Sequence, residues 1–233
     1  MHHDTNVYLA IEQLKKSNLT GLATDIDDTL CRTSDGFFDA FAPHIPPPSH
    51  LNYELFRKHY ALHGKPLFWG EREDCKPYFI QYGNDAQFHF NLKPIPQAIP
   101  ALQQLPLACY LTARPESMRE KTQQWLNEHQ FPSKPLIMRP NETPFSNHVD
   151  WKITTLEHLL PNVTGLIDND TRITHALEQQ NYLGHIFLIG LAPTEYQSEY
   201  TIVRENWDEL LIEIRKNCKE DNKGLTQLEV TTT

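Results

Sequence analysis

The sequence predicts an α/β fold, a parallel sheet flanked by helices, carrying a small and mostly helical insertion. Three observations predict it. From about residue 93 onward, short apolar runs alternate with stretches of helical spacing, the pattern of a parallel sheet with helices on both faces. A similar apolar run lies at residues 19–26, and no buried-strand run separates it from residue 93. The 233 residues are 39% apolar and 22% charged, which supplies a packed interior, excludes global disorder and suits one sizeable domain or a core plus an insertion.

Taken in order, Val7, Leu9, Ala10, Ile11 and Leu14 space a short N-terminal helix. "LTGLATDI" reads as a buried strand that ends in an acidic cluster, Asp25, Asp27 and Asp28. Residues 35–92 hold "PPP", many aromatics and helical patches such as "LNYELFRKHYALHG", and are read as the helical insertion. Ile95, Ile99 and Leu102 give helical spacing, and "LACYLT" is a strand. Pro115 suits the first turn of a helix carrying Met118, Trp125 and Leu126 on one side. "PLIMR" is a strand, and Ile153, Leu156, Leu159 and Leu160 mark a helix. "VTGLID" is a strand, "TRITHALEQQ" a helix and "GHIFLIG" the final strand. Trp207, Leu210, Leu211 and Ile214 space a last helix. The expected organisation is a discontinuous core, 1–34 and 93–218, an insertion at 35–92 and a loosely ordered polar tail at 219–233.

Composition narrows the function. A net charge of -9 disfavours general nucleic-acid binding. Four cysteines without CxxC spacing read as reduced thiols. The N-terminus has no basic region or apolar stretch of a secretory signal, and "IFLIGLA" is too short to span a bilayer. The expectation is a soluble, cytoplasmic protein with no membrane partner.

Ligands of parallel sheets bind beyond the carboxyl ends of the strands. Those ends read Asp25-Ile26-Asp27-Asp28-Thr29, Thr112-Ala113-Arg114 and Asp168-Asn169-Asp170, and Lys152 opens the helix between the last two. Carboxylates, a hydroxyl with backbone N–H groups and a lysine together suit a divalent cation plus a phosphate. Mg²⁺ takes hard oxygen ligands, which Asp25 and Asp168 could supply, and it would neutralise carboxylates that otherwise repel. A carboxylate such as Asp25 can attack phosphorus. Asp27 could protonate the leaving oxygen and then deprotonate water. In an extended strand residues 25 and 27 share a face, so only a local turn lets them approach phosphorus from separate sides. Thr112, Ala113 and Lys152 would bind the phosphoryl oxygens. Singly, each residue has an ordinary reading: an Asp-rich turn is a solvated loop, Thr112 a cap, Lys152 a surface lysine, Asp168 with Asp170 a helix cap. Asp28 keeps its ordinary reading, solvated or hydrogen-bonded near the turn. The ordered set is what points to chemistry.

That set resembles the haloacid dehalogenase-like hydrolase superfamily. "DIDDTL" resembles its DxDxT motif, "YLTARPE" its second motif, Lys152 in "DWKITTLEHLL" its third and "GLIDND" its acidic fourth, over roughly residues 19–34 and 93–191. The resemblance implies a Rossmann-like core, Mg²⁺ dependence, Asp25 as nucleophile and Asp27 as acid/base. It implies metal ligation by Asp25, the backbone carbonyl of Asp27 and Asp168, with Asp170 or Asn169 in support. Members with a dehalogenase function lack the second aspartate, which is present here as Asp27. Lys134, before "PLIMR", is the rival to Lys152. The insertion corresponds to a cap site, and a cap favours a small phosphorylated metabolite or nucleotide. Its aromatics read either as a base-stacking surface or as a small helical core; its histidines have no zinc spacing with cysteine. Arg72, Lys76 and Arg114 are candidates for contacting the substrate. The expectation is a Mg²⁺-dependent phosphatase, with a nucleotidase as the favoured guess; the alternatives are a phosphotransferase and a catalytically silent binding protein. A nucleic-acid end phosphatase is disfavoured by the charge and the cap.

Overall fold

The computed structural model describes residues 5–70 and 72–217; the expected tail at 219–233 lies outside the described residues. Six strands form one sheet: β1 (Gly21–Thr24), β2 (Leu107–Pro115), β3 (Leu136–Arg139), β4 (Val163–Asp168), β5 (His185–Ile189) and β6 (Thr201–Arg204). Their order is β3-β2-β1-β4-β5-β6, and every pairing is parallel. This is a Rossmann-like order with β1 at the centre. The chain fills one side of β1 and then crosses to the other, so the carboxyl ends of β1 and β4 are neighbours at the switch point.

The helices among the described residues are α1 (Thr5–Ser17), α2 (Thr33–Phe41), α3 (Tyr53–His63), α4 (Lys76–Gly83), α5 (Ala86–Phe90), α6 (Ala98–Leu102), α7 (Arg119–Glu128), α8 (His148–Leu159) and α9 (Thr171–Gln179), with a further helix over residues 207–217. On one face Leu14, Ile153, Leu156 and Leu177 of α1, α8 and α9 pack on Ala23, Leu111 and Ile137. On the other, Trp125, Trp207 and Leu210 pack with Leu22, Tyr110 and Phe187. Strands covered on both faces must be apolar throughout, and β1 and β3 are buried at every position.

Two expectations need correction. "GHIFLIG" is not the final strand: β6 follows it at the sheet edge, alternating buried and half-buried residues. Four residues containing a threonine and an arginine carry too little apolar signal to mark a strand. Pro115 does not open a helix either. β2 runs through it, with an irregular register against β3 between Thr112 and Pro115, and α7 begins at Arg119 after a short 3₁₀ turn.

Among the described residues, 35–92 form no strand. α2 to α4 enclose their own cluster around Phe41, Phe56 and Trp69, in which Phe38 meets Trp69 edge-on at 5.2 Å, while Ala86, Phe88 and Phe90 of α5 pack against the main core. Most of the aromatics therefore serve a small helical core. Its first helix starts at Thr33, two residues before the expected boundary. The excursion leaves and returns at one place: Arg32 N–H donates to the Lys93 carbonyl at 2.9 Å and Ile95 N–H to the Leu30 carbonyl at 2.7 Å. α5 packs on α7 and α3 on α9, where Thr171 Oγ1 donates to the Ala61 carbonyl at 2.8 Å. α3 ends at Gly64, with φ 63°; a Cβ there would collide with the Arg172 guanidinium. No helix among the described residues is long and apolar enough to cross a membrane.

Trp125 ties the insertion's return to the core, fully buried with Nε1 donating to the Leu92 carbonyl at 2.8 Å. Trp125→Ala is expected to lower unfolding free energy by about 3–5 kcal/mol, measured by urea denaturation. A loss below about 1 kcal/mol would contradict this packing.

Candidate active site

The acidic cluster is legible as chemistry only because the chain turns there. β1 stops at Thr24, and the Asp25 N–H donates to the Ile167 carbonyl of β4 at 2.9 Å. The N–H groups of Thr29, Leu30 and Cys31 then converge on the Ile26 carbonyl. Asp28 takes a left-handed conformation, φ 55°, which aspartate tolerates better than most residues. Trp207 Nε1 pins the turn through the Thr29 carbonyl at 2.9 Å. The turn sends Asp25 and Asp27 to different partners, Lys152 and Arg114.

Asp25 meets Lys152. This lysine is the fifth residue of α8, in its second turn and not its first, on the face that buries Ile153 and Leu156. Its Nζ is 2.7 Å from Asp25 Oδ1 and 2.7 Å from Asp168 Oδ2, and all three residues are buried. Asp168 Oδ1 accepts the Asp170 N–H at 2.9 Å. Among the described residues no hydrogen bond reaches Asp25 Oδ2. One ammonium between two carboxylates leaves the cluster negative. Burial first, opposed by Lys152 and assisted by repulsion from Asp168 and Asp27, pushes the Asp25 carboxyl up to about 8. Burial depresses a lysine, but Asp168 and Asp25 more than offset it and raise Lys152 above its ordinary range.

Asp27 faces Arg114. The guanidinium donates from Nε to Oδ2 at 3.0 Å and from Nη2 to Oδ1 at 2.9 Å, and Thr33 Oγ1 donates to Oδ1 at 2.6 Å. Burial would raise this carboxyl, but Arg114 and then His89 hold it well below the usual carboxylate range. Asp27 is therefore an ionised acceptor in this arrangement. Asp28 accepts both the N–H and the hydroxyl of Ser34; burial nevertheless lifts it to about 6. Asp170 caps α9, accepting the Arg172 N–H at 2.9 Å and its Nη2 at 2.6 Å, with His148 Nε2 at 3.4 Å. These partners overcome burial and hold its carboxyl far below the ordinary value. Asn169 Oδ1 accepts the Thr29 hydroxyl at 3.3 Å. Asp170 and Asn169 are thus already engaged within the protein.

Asp25, Asp27, Ala113, Arg114, Lys152, Asp168, Asn169 and Asp170 all line one cavity of about 440 Å³, which the insertion covers with Phe37, Tyr60 and Phe79. Thr112 is the expected member that the structure does not bring there: it is fully buried, and its Oγ1 accepts the Arg114 N–H at 3.2 Å. Arg114 reaches the cavity but is spent on Asp27. Arg72 and Lys76 pair with Asp74 and Glu73 at 2.6 Å and do not line it. Lys134 precedes β3, at the end of the sheet away from the cavity. The donors fit a hard cation by chemistry and charge, since Asp25 and Asp168 present carboxylate oxygens with a net negative excess. No three acidic, histidine or cysteine side chains are grouped to hold a metal among the described residues, so backbone oxygen and water would complete any such shell.

His89, Arg139, His148 and Arg172 also line the cavity and were missed from sequence. Arg139 had a usable signal: it is the polar residue that ends the apolar strand "LIMR". The histidines had none. Compared with known proteins, the chain matches no family model and no curated sequence.

Lys152→Met leaves two buried carboxylates without their cation and is expected to cost about 3–5 kcal/mol, with part recovered on adding Asp168→Asn; equal stability of Lys152→Met and wild type would refute the bridge. A pH experiment reads Asp25. Between its unfolded value of 3.8 and its folded value of about 8, the folded state holds a proton that the unfolded state lacks. Folding therefore loses stability as pH rises through that window and changes no further above it. Without divalent cations, wild type is expected to lose stability relative to Asp25→Asn between about pH 4 and pH 8, read by urea denaturation. Parallel pH profiles would refute the shift.

Proposed function

We propose that the chain is a Mg²⁺-dependent phosphatase of the haloacid dehalogenase-like superfamily, hydrolysing a small phosphomonoester through an aspartyl-phosphate on Asp25. The observation that carries this reading is Lys152 Nζ held 2.7 Å from both Asp25 and Asp168 in the floor of a covered cavity. A buried lysine in that position does two things: it fixes the nucleophile's direction and offers positive charge to phosphoryl oxygens. Asp25 Oδ2, which no hydrogen bond reaches among the described residues, is the attacking oxygen. The Asp25–phosphorus bond forms as the ester bond breaks, and the leaving oxygen takes the proton that Asp27 accepted from water in the preceding turnover. Water then attacks the aspartyl-phosphate, Asp27 accepts its proton, and phosphate leaves with Asp25 restored. Asp27 returns that proton to the next leaving group. Arg114 disfavours the protonated form of Asp27, so the accepting half of the cycle is the one this arrangement suits. Mg²⁺ at Asp25 and Asp168 would supply the missing positive charge, keeping the nucleophile ionised and screening the phosphoryl oxygens.

The backbone of Ala113 lines the cavity and remains the candidate for the phosphoryl group from β2; Thr112 acts behind it by fixing the Arg114 N–H. Phe37, Tyr60 and Phe79 line the cavity, which favours a leaving group with a flat apolar part, a nucleoside among them. A cavity of about 440 Å³ suits a small ligand and, with the acidic net charge, disfavours nucleic acid. Buried thiols at Cys31, Cys75 and Cys109 suit a reducing, cytoplasmic setting.

The test is phosphate release from a panel of phosphomonoesters with Mg²⁺ or EDTA, beside Asp25→Asn. Release that needs Mg²⁺ and falls to background in Asp25→Asn is expected. Turnover retained by Asp25→Asn would overturn the nucleophile. Phosphorylation of added alcohols would identify a phosphotransferase; cation binding without turnover of any ester would favour a binding protein.

A further inference from the structure

Arg139 ends β3 and is 5% exposed. Its guanidinium is fixed from two sides. Nε donates to the Ala113 carbonyl at 2.9 Å, and Nη1 donates to the Thr143 carbonyl. The Phe145 ring lies 5.9 Å away and stacks on His148. Both hydrogen-bond partners are neutral. Among the described residues no carboxylate lies within ion-pair distance of Arg139, and no hydrogen bond reaches Nη2. The other cations deep in the cavity are all matched: Arg114 to Asp27, Lys152 to Asp25 and Asp168, Arg172 to Asp170.

A buried charge without a counter-ion is costly unless something completes it. Burial alone accounts for the lowered basicity of Arg139; no acid opposes it. The group lines the cavity shared with Asp25 and enters it from β3. β2 lies between β3 and β1, so the two backbones are separated by about 10 Å across the sheet. Arg139 also pairs in register with Pro115, beyond Thr112. The phosphoryl group that Asp25 would attack already has the Lys152 ammonium beside it, whereas an anion at Arg139 would be held from β3, at the level of Pro115.

We propose that Arg139 is a second anion subsite of this cavity, and that the natural ligand carries an oxyanion, a carboxylate or a second phosphate, at the end remote from its reacting phosphoryl group. A guanidinium already aligned by two carbonyls offers its remaining N–H groups to such an oxyanion in a fixed plane. The location of the first phosphate rests on the proposed phosphatase reading; the subsite itself does not need turnover.

Equilibrium binding to the full chain tests it, using alkylphosphonates against ω-phosphonocarboxylates and α,ω-bisphosphonates across a series of methylene lengths. At the length that spans the two sites, the second charge is expected to tighten binding by about tenfold or more. Arg139→Met is expected to lose that gain with alkylphosphonate affinity unchanged, and Arg139→Lys to keep part of it. Whichever of the two dianions gains more identifies the oxyanion. Equal affinity for mono- and dianions at every length in wild type overturns the subsite, even where Arg139→Met does not fold. So does a gain that survives in folded Arg139→Met. Ester turnover without the gain defeats the subsite alone; the gain without ester turnover supports the subsite and defeats the phosphatase reading.

Discussion

The Lys152 ammonium between Asp25 and Asp168 is the contact on which the rest of the arrangement depends, because it can form only if three separate elements meet. β1 and β4 must be neighbours so that their carboxyl ends face one another, which the crossing at the switch point provides. α8 must lie on the sheet face that turns Lys152 inward together with Ile153 and Leu156. The turn after β1 must carry Asp25 toward β4, which the hydrogen bond to the Ile167 carbonyl secures. A buried lysine is tolerable because two carboxyl oxygens meet it, each at 2.7 Å. Two buried carboxylates are tolerable because the lysine lies between them, and the remaining negative excess is what makes the position suited to a cation or a proton.

Charge is allotted unevenly around the cavity, and the unevenness is informative. Asp27 and Arg114 neutralise each other, as do Asp170 and Arg172. These pairs build the walls and leave the cavity floor one positive charge short at Asp25, Asp168 and Lys152. Arg139, two strands away, is one negative charge short. On the proposed reading, unmatched charges of opposite sign at separate positions would suit a polar, elongated ligand with a cation at one end. The helical insertion adds Phe37, Tyr60 and Phe79 to the lining of the same cavity, so apolar surface accompanies the charged groups.

The core was legible because parallel strands buried on both faces leave unbroken apolar runs in the sequence, and because the helices between them keep one apolar stripe. β6 was not, since an edge strand needs only alternate apolar residues and Thr201–Arg204 offers two buried positions. Asp25, Lys152 and Asp168 were legible from their position at strand ends and on a following helix. Thr112 shared that signal and yet points its hydroxyl at the Arg114 N–H, because the irregular register after it extends β2 by three residues. A one-dimensional pattern carries no record of such a bulge. Arg114 looked like a substrate contact for the same reason; its pairing with Asp27 is a contact over 87 positions of sequence. His89, from the distant insertion, has no neighbouring residue that would mark it.

The proposed phosphatase cycle turns on Asp25 as the group that would carry the phosphoryl group between substrate and water. Acid-quenching the chain during turnover of its best phosphomonoester, followed by peptide mass spectrometry, tests this directly. The expected result is a hydroxylamine-labile phosphoryl adduct on the peptide containing Asp25, absent in Asp25→Asn. An adduct on another residue, or steady turnover with no adduct at any quench time, would contradict it.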